Sequence, residues 1–308
     1  MYPVVLAGCY SPERATIPPP ADAPAELVAL TGAVVMIGAG DIAVCGVRGD
    51  EATAGIVDSV VRADSAAKVE NVVFTIGDNA YSTGSETDFT RCFAPSWGRT
   101  TIMKWIRPAP GNHDYATPGA TPYYKYFDGK AGPPGKGYYS YDLGPWHVIS
   151  LNSEILIDPR SRPEADEQEE WLRKDLKDHD KKCTLAYFHR PLFSSGIHGP
   201  TPEMLSLWNI LYAADVDLIL NGHDHHYERF RPQTPLGAVD SVKGIEEIIV
   251  GTGGGVLRAV RYPLARNSVV QIHGYYGVIK LTLGAGEYRR AFLDTGGRIW
   301  DRGGRKCH

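Results

Sequence analysis

What this 308-residue sequence has little of narrows it before any motif is read. None of its five cysteines stands at Cys-x-x-Cys spacing, so a structural zinc site is not expected. Cations are not in excess: 32 Lys and Arg against 36 Asp and Glu leave a net charge of −4. General nucleic-acid binding, which wants a basic face, is therefore not expected. No apolar run is long enough to span a bilayer. The nearest, Leu27 to Gly38, is broken by Thr31 and Gly32 and reads as a core strand with its lead-in. What remains, 43% hydrophobic and 22% charged, is an ordinary globular composition, long enough to bury a sizeable core as one α/β domain.

Residues 1–32 are set apart by Pro18-Pro19-Pro20, Pro24 and repeated Ala, and read as a tether. Leu6-Ala7-Gly8-Cys9 has two readings. One is the stump of a lipoprotein processing site, with a lipid anchor at Cys9. The other is an accidental match in an Ala-rich terminus. On the first reading four cysteines remain, compatible with two disulfides in an oxidising compartment, so export is expected; their pairing is not readable.

The folded part is expected over residues 33–308. Val34–Ile37 and Val72–Ile76 read as strands buried on both faces, and Glu51–Ala63 between them has helical spacing. That alternation predicts a parallel sheet with crossover helices. Tyr139, Tyr141, Trp146 and Ile149 lie on two extended runs joined at Gly144-Pro145, an antiparallel hairpin. Then follow a charge-rich helix over 164–180, a strand at Leu185–Phe188, a helix from Pro202 to Ala214 and a strand at Val216–Leu220. The stretch from Glu246 to Trp300 is strand-like and is expected to form a second sheet. The predicted fold is a single four-layer α/β/β/α sandwich of two mixed sheets.

Several short stretches place oxygen or imidazole donors where strands should run into loops: Asp41, Gly77-Asp78-Asn79-Ala80-Tyr81, Gly111-Asn112-His113-Asp114, His189-Arg190, His198 and Gly222-His223-Asp224-His225. Open α/β sheets build sites beyond the carboxyl ends of their strands, so the tips after 37, 76, 188 and 220 are expected to meet at one rim. Singly, Asp41 and Asn112 are ordinary turn formers and Tyr81 an ordinary packed aromatic. As an ordered set they suit two neighbouring cations, because hard oxygens and imidazoles are mixed.

The set resembles the calcineurin-like metallophosphoesterase superfamily and, within it, the purple acid phosphatases in a bacterial, single-domain form. The resemblance runs from about residue 33 to 228, and the run Gly251-Thr252-Gly253-Gly254 is also similar. Two departures from the superfamily pattern compensate each other: the first motif, Asp41-Ile42-Ala43, lacks the usual His, and the second ends in Tyr81. With little sequence before Ala33, the extra N-terminal β domain of the large plant enzymes is not expected.

By this resemblance Asp41, Asp78, Tyr81 and His225 hold one metal, Asp78, Asn112, His189 and His223 the other, and Asp78 bridges. A phenol ionises near pH 10, so binding as phenolate near neutrality calls for a strongly acidic cation. Fe(III) with a divalent Zn, Mn or Fe is expected, a formal charge of about +5, reduced to about +1 by two carboxylates, one tyrosinate and one bridging hydroxide. The implied reaction is hydrolysis of a small phosphoric monoester by in-line attack of a metal-bound hydroxide. Asn112, His113, Arg190 and His198 are expected at the substrate, with His113 and His198 catalytic; His226 is expected to pack. A phosphodiesterase or nucleotide pyrophosphatase on the same metals is the alternative, and a noncatalytic phosphate-binding module a further one.

Overall fold

Val34–Ala39 (β1) and Asn71–Ile76 (β2) pair in parallel and are buried at every position, the burial expected of strands covered on both faces. Helix Gly49–Ala66 crosses between them and lays Ala54, Val57 and Val61 into the core. This is a computed structural model, and it describes Leu30 and residues 32–308. Cys9 and nearly all of the expected tether therefore lie outside the described residues.

The remaining strands are Ile106–Ala109 (β3), Tyr139–Leu143 (β4), Trp146–Ser150 (β5), Cys183–Tyr187 (β6), Leu218–Asn221 (β7), Tyr227–Phe230 (β8), Glu246–Val250 (β9), Ser268–Ile272 (β10), Gly277–Gly284 (β11), Glu287–Asp294 (β12) and Ile299–Lys306 (β13). They form two mixed sheets, ordered β13-β12-β11-β1-β2-β3 and β10-β8-β9-β7-β6-β5-β4. The expected hairpin at Gly144-Pro145 is present as β4–β5, with Tyr139 opposite Ser150.

One expectation needs correction. The stretch from Glu246 onward does not make a sheet of its own. β9 joins β7 in parallel, whereas β11 returns to β1, placing Val34 opposite Leu283, and carries β12 and β13 with it. Strand-like runs report burial, not partner choice, so local pattern could not assign them.

The period-2 alternation of the second sheet separates its two faces. Trp146, Val148, Leu185, Tyr187, Leu218 and Leu220 face the first sheet, while Ile149, Leu151, Ala186 and Ile219 face outward. Onto that outer face pack helix Arg162–Asp178 through Leu172 and helix Leu205–Ala213 through Leu207, Trp208 and Leu211. The result is the expected order of helix, sheet, sheet, helix. Aromatic pairs bridge the inner faces: Phe74 with Tyr187, Trp146 with Tyr288, and Tyr227 with Phe292 at 4.3 Å. Beside them half-buried Arg229 and buried Arg290 pair with Glu246 and Asp301.

Two disulfides, Cys45–Cys92 and Cys183–Cys307, use the four cysteines other than Cys9. The first ties the loop after β1 to the segment beyond Tyr81. The second ties β6 to the residues after β13.

Candidate metal centre

The loops after β1 and β2 do not diverge when the strands end. Ile42 N–H donates to the Asp78 carbonyl at 2.9 Å, and Tyr81 N–H donates to the Ala43 carbonyl at 2.8 Å. Asp41, Asp78 and Tyr81 are thereby held side by side. The second sheet answers with Gly222 N–H on the His189 carbonyl, which aligns the loops after β6 and β7. The strand tips do converge, but on the seam between two sheets, not along the rim of one.

Backbone conformation is unusual at the donors themselves. Asp41, Asp78 and His223 all have positive φ, at 60°, 50° and 70°, a region that side-chain-bearing residues enter at a cost. Two glycines permit the close approach. A Cβ on Gly77, itself at φ +79°, would lie 2.6 Å from His189 Nδ1, and one on Gly222 would lie 2.6 Å from Asp41 Oδ2.

Two donor groups result. In the first, the Tyr81 hydroxyl lies 3.1 Å from Asp41 Oδ1 and 3.2 Å from His225 Nε2, and His225 Nε2 lies 3.3 Å from Asp41 Oδ1. In the second, His189 Nε2 lies 3.1 Å from Asn112 Oδ1 and 3.2 Å from His223 Nδ1. Asp78 Oδ2 stands between them, 3.0 Å from the Tyr81 hydroxyl and 3.4 Å from His189 Nε2. Asp41, Asp78 and His189 alone offer three ligand atoms within 4.8 Å of one another.

The chemistry of these donors calls for a cation. His225 Nδ1 is engaged by the Val256 carbonyl at 2.7 Å and His189 Nδ1 by the Ile76 carbonyl at 2.8 Å. In the neutral rings those nitrogens carry the proton, so each Nε2 presents a lone pair. Lone pairs of nitrogen and carboxylate oxygen thus face one another in a buried space, where only a proton or a metal can reconcile them. Burial first, then the charges of Asp41 and Asp78, push the Tyr81 phenol well above its ordinary ionisation. A cation in the same space would reverse that balance. The residues present therefore fit a pair of metal ions.

The expected substrate-side residues ring this centre. His113 donates its backbone N–H to Asp78 Oδ1 at 2.8 Å. Its Nδ1 contacts the Ser82 carbonyl at 2.5 Å, which turns Nε2 towards the site, 3.9 Å from Asp78 Oδ2. The imidazole leans on the Tyr81 ring with centroids 4.4 Å apart. The ring of His198 sits 4.6 Å from that of His223, and its backbone N–H donates to Asp224 Oδ1. Arg190 is held from one side. Its Nε donates to both carboxylate oxygens of Glu154, at 2.9 and 3.0 Å, and its Nη1 lies 3.2 Å from His223 Nε2. His226 is fully buried, with its Nε2 3.0 Å from Glu228.

Three buried acids behind the donors were not picked out by sequence reasoning. Asp114 accepts from Gly111 N–H at 2.9 Å and from Asn79 Nδ2 at 3.0 Å, locking the loops after β2 and β3 together. Burial foremost, then the charge of Asp78, raises its carboxyl to about 7. Asp224 accepts from the hydroxyl of Ser194 and the amide of His198. Glu154 holds Arg190. For Asp114 and Asp224 the signal was their place inside donor stretches; Glu154, 36 residues before Arg190, had none.

The Gly251–Gly255 run closes the centre from the far side. Gly253 N–H donates to the Gly40 carbonyl at 2.9 Å and Gly255 N–H to the Asp41 carbonyl at 2.7 Å.

The chain is similar to known proteins. The family model described as calcineurin-like phosphoesterase matches residues 38–227. Purple acid phosphatase 21 of Arabidopsis thaliana is 36% identical over 101 residues, covering 31% of this chain and 22% of the relative. Acid phosphatase type 7 of Mus musculus is 26% identical over 234 residues, covering 63% and 50%. The chain thus spans at most half the length of these two relatives. Among solved structures, purple acid phosphatase PPD1 from yellow lupin seeds superposes with a TM-score of 0.74 at 19% identity, over 89% of this chain and 54% of that one. GAP50, the anchor in the inner membrane complex of Plasmodium, superposes with a TM-score of 0.72 at 12% identity, over 90% and 89%. At these identities the likeness shows the fold.

Proposed function

This chain belongs to the calcineurin-like phosphoesterase family, matched over residues 38–227, and from that premise we propose that it is a metallophosphatase hydrolysing small phosphoric monoesters. The observation that carries the reading is the place of Asp78 Oδ2 between two donor groups, 3.0 Å from the Tyr81 hydroxyl and 3.4 Å from His189 Nε2. Asp41, Tyr81 and His225 would hold one ion, Asn112, His189 and His223 the other, and Asp78 both. Bound there, two cations would neutralise phosphoryl charge and supply an activated water for in-line displacement.

The chain's own residues do the rest. His113, anchored through Asp78 Oδ1 and the Ser82 carbonyl, presents Nε2 to a phosphoryl or leaving-group oxygen. His198 faces the same opening from beside His223. Arg190, held by Glu154, keeps a guanidinium beside His223; since that group only donates, its remaining N–H groups suit a phosphoryl oxygen, the substrate role expected from sequence. The donor set favours Fe(III) at the Tyr81 position, because a buried phenol beside two carboxylates ionises only next to a strongly acidic cation.

Two disulfides suit an oxidising compartment, which supports export, and residues 33–308 are read as the catalytic unit. The ion-loaded protein is expected to turn over a phosphomonoester faster than a diester with the same leaving group. Faster diester turnover would replace this reading with a phosphodiesterase. Phosphate binding without turnover of either ester would replace it with a binding module.

A further inference from the structure

The chain is acidic overall, yet residues 248–286 contain no Asp or Glu while holding Arg258, Arg261, Arg266 and Lys280. Three of those cations fall within nine residues, on the loop that follows Gly251–Gly255. That loop is stitched to the metal centre at several points. His225 Nδ1 contacts the Val256 carbonyl at 2.7 Å, and Arg258 N–H donates to the His225 carbonyl at 3.0 Å. Arg261 N–H donates to the Ser195 carbonyl at 2.7 Å, and Ala265 N–H donates to Ser195 Oγ at 2.8 Å. One strap of chain therefore joins the first donor group to the loop carrying His198.

The side chains of Arg258, Arg261 and Arg266 are exposed, as are Val256 and Tyr262. Arg229 and Arg290, between the sheets, have carboxylate partners in Glu246 and Asp301. The three loop arginines have none among the described residues. Unpaired guanidinium groups fixed beside a phosphoryl site are anion receptors, because their planar fork matches phosphate oxygens. Of the three, Arg258 is the one whose backbone bonds to a member of a donor group, His225.

We propose that Arg258, carried on the 251–266 strap beside His225, is a specificity-determining residue that binds a second phosphate of the substrate. The inference rests on the phosphatase reading, because the first phosphate is placed at the donor groups. The favoured substrates are then small molecules with two phosphates.

The test compares a hexose bisphosphate with the matching hexose monophosphate on the ion-loaded, full-length protein. Equilibrium binding is measured by calorimetry and turnover in parallel. Wild type is expected to bind the bisphosphate more tightly, with a preference that weakens as salt rises. Arg258→Ala is expected to lower the ratio of the two affinities roughly tenfold, the scale of one charge-assisted hydrogen bond. Arg258→Lys is expected to restore part of it, as a point charge without the fork. Arg62→Ala, on the exposed face of helix Gly49–Ala66, should leave the ratio alone. An unchanged ratio in Arg258→Ala overturns the assignment. A lowered binding ratio with no turnover of either ester supports Arg258 as receptor while sinking the hydrolase reading.

Discussion

The hydroxyl of Tyr81 stands 3.2 Å from Nε2 of His225, a residue 144 positions further along the chain. Neither group has an apolar explanation for being there. The imidazole already spends its other nitrogen on Val256, and the phenol already lies beside two carboxylates.

Tyr81→Phe keeps the ring that leans on His113 and removes only the oxygen. The ion-loaded wild type is expected to show a broad visible absorption from tyrosinate bound to iron, and the variant to lose it together with most of its iron. Absorption spectra with metal analysis read both. A colourless wild type carrying two divalent ions would remove the ferric assignment and leave the phosphatase reading in place.

Glu154→Gln exchanges the carboxylate that holds Arg190 for an amide of the same shape. Arg190 then has no anionic partner to hold it beside the second donor group. Its guanidinium only donates, so its place is at phosphoryl oxygens and not behind a metal ligand. KM for a phosphomonoester is expected to rise roughly tenfold, the scale of one charge-assisted hydrogen bond, with metal content unchanged; steady-state kinetics and metal analysis read both. An unchanged KM would show that Arg190 makes no substrate contact.

His147 touches Asp142 at 2.9 Å through Nδ1 and Asp175 at 2.8 Å through Nε2, clamping the β4–β5 hairpin to helix Arg162–Asp178. Lys181 stands 3.6 Å from Asp142 and His179 stacks on the His147 ring. Burial alone would lower the proton affinity of His147, but the two carboxylates outweigh it and the pKa is raised. A raised folded pKa stabilises below the ordinary value near 6.5 and loses that contribution as pH rises through the folded value. His179 is lowered, by burial first and then by the charge of His147, so its contribution runs the other way. His147→Gln, read against wild type, isolates the first effect. Its destabilisation by chemical denaturation should be larger at pH 5.5 than at pH 9; equal losses would show that the clamp does not depend on the proton.

Reduction should cost considerable stability. Cys45–Cys92 closes 47 residues and Cys183–Cys307 closes 124. Chain entropy assigns about 4 and about 5 kcal/mol to loops of those lengths. A fall in Tm of about 10–20 °C is expected on adding a dithiol, with calorimetry as the readout. A Tm unmoved by complete reduction would show that the pairs contribute nothing to the folded state.

Asp41, Asp78, His189 and His223 were legible as candidate donors because each follows an apolar run at a strand end, a place where side chains become available to a site. Asn112 had no such run to mark it and was read from its Gly-Asn-His-Asp stretch. The pairing of β11 with β1 was not legible, since Gly277–Gly284 carries no local mark of its partner strand. Nor was the Glu154–Arg190 pair, whose members belong to loops that meet only after the second sheet has formed. Sequence also predicted a single rim, because runs of buried residues cannot say which of two sheets a strand will enter.

That division between sheets has a mechanical corollary. Asp41, Tyr81 and Asn112 hang from β1, β2 and β3, while His189, His223 and His225 hang from β6 and β7, and each donor group draws on both sides. An ion in either position would act as a rivet through two plates. Stripping the ions should then let the plates creep apart at this edge first, with hydrogen exchange rising in the five tip loops while the aromatic bridges deeper in stay shut.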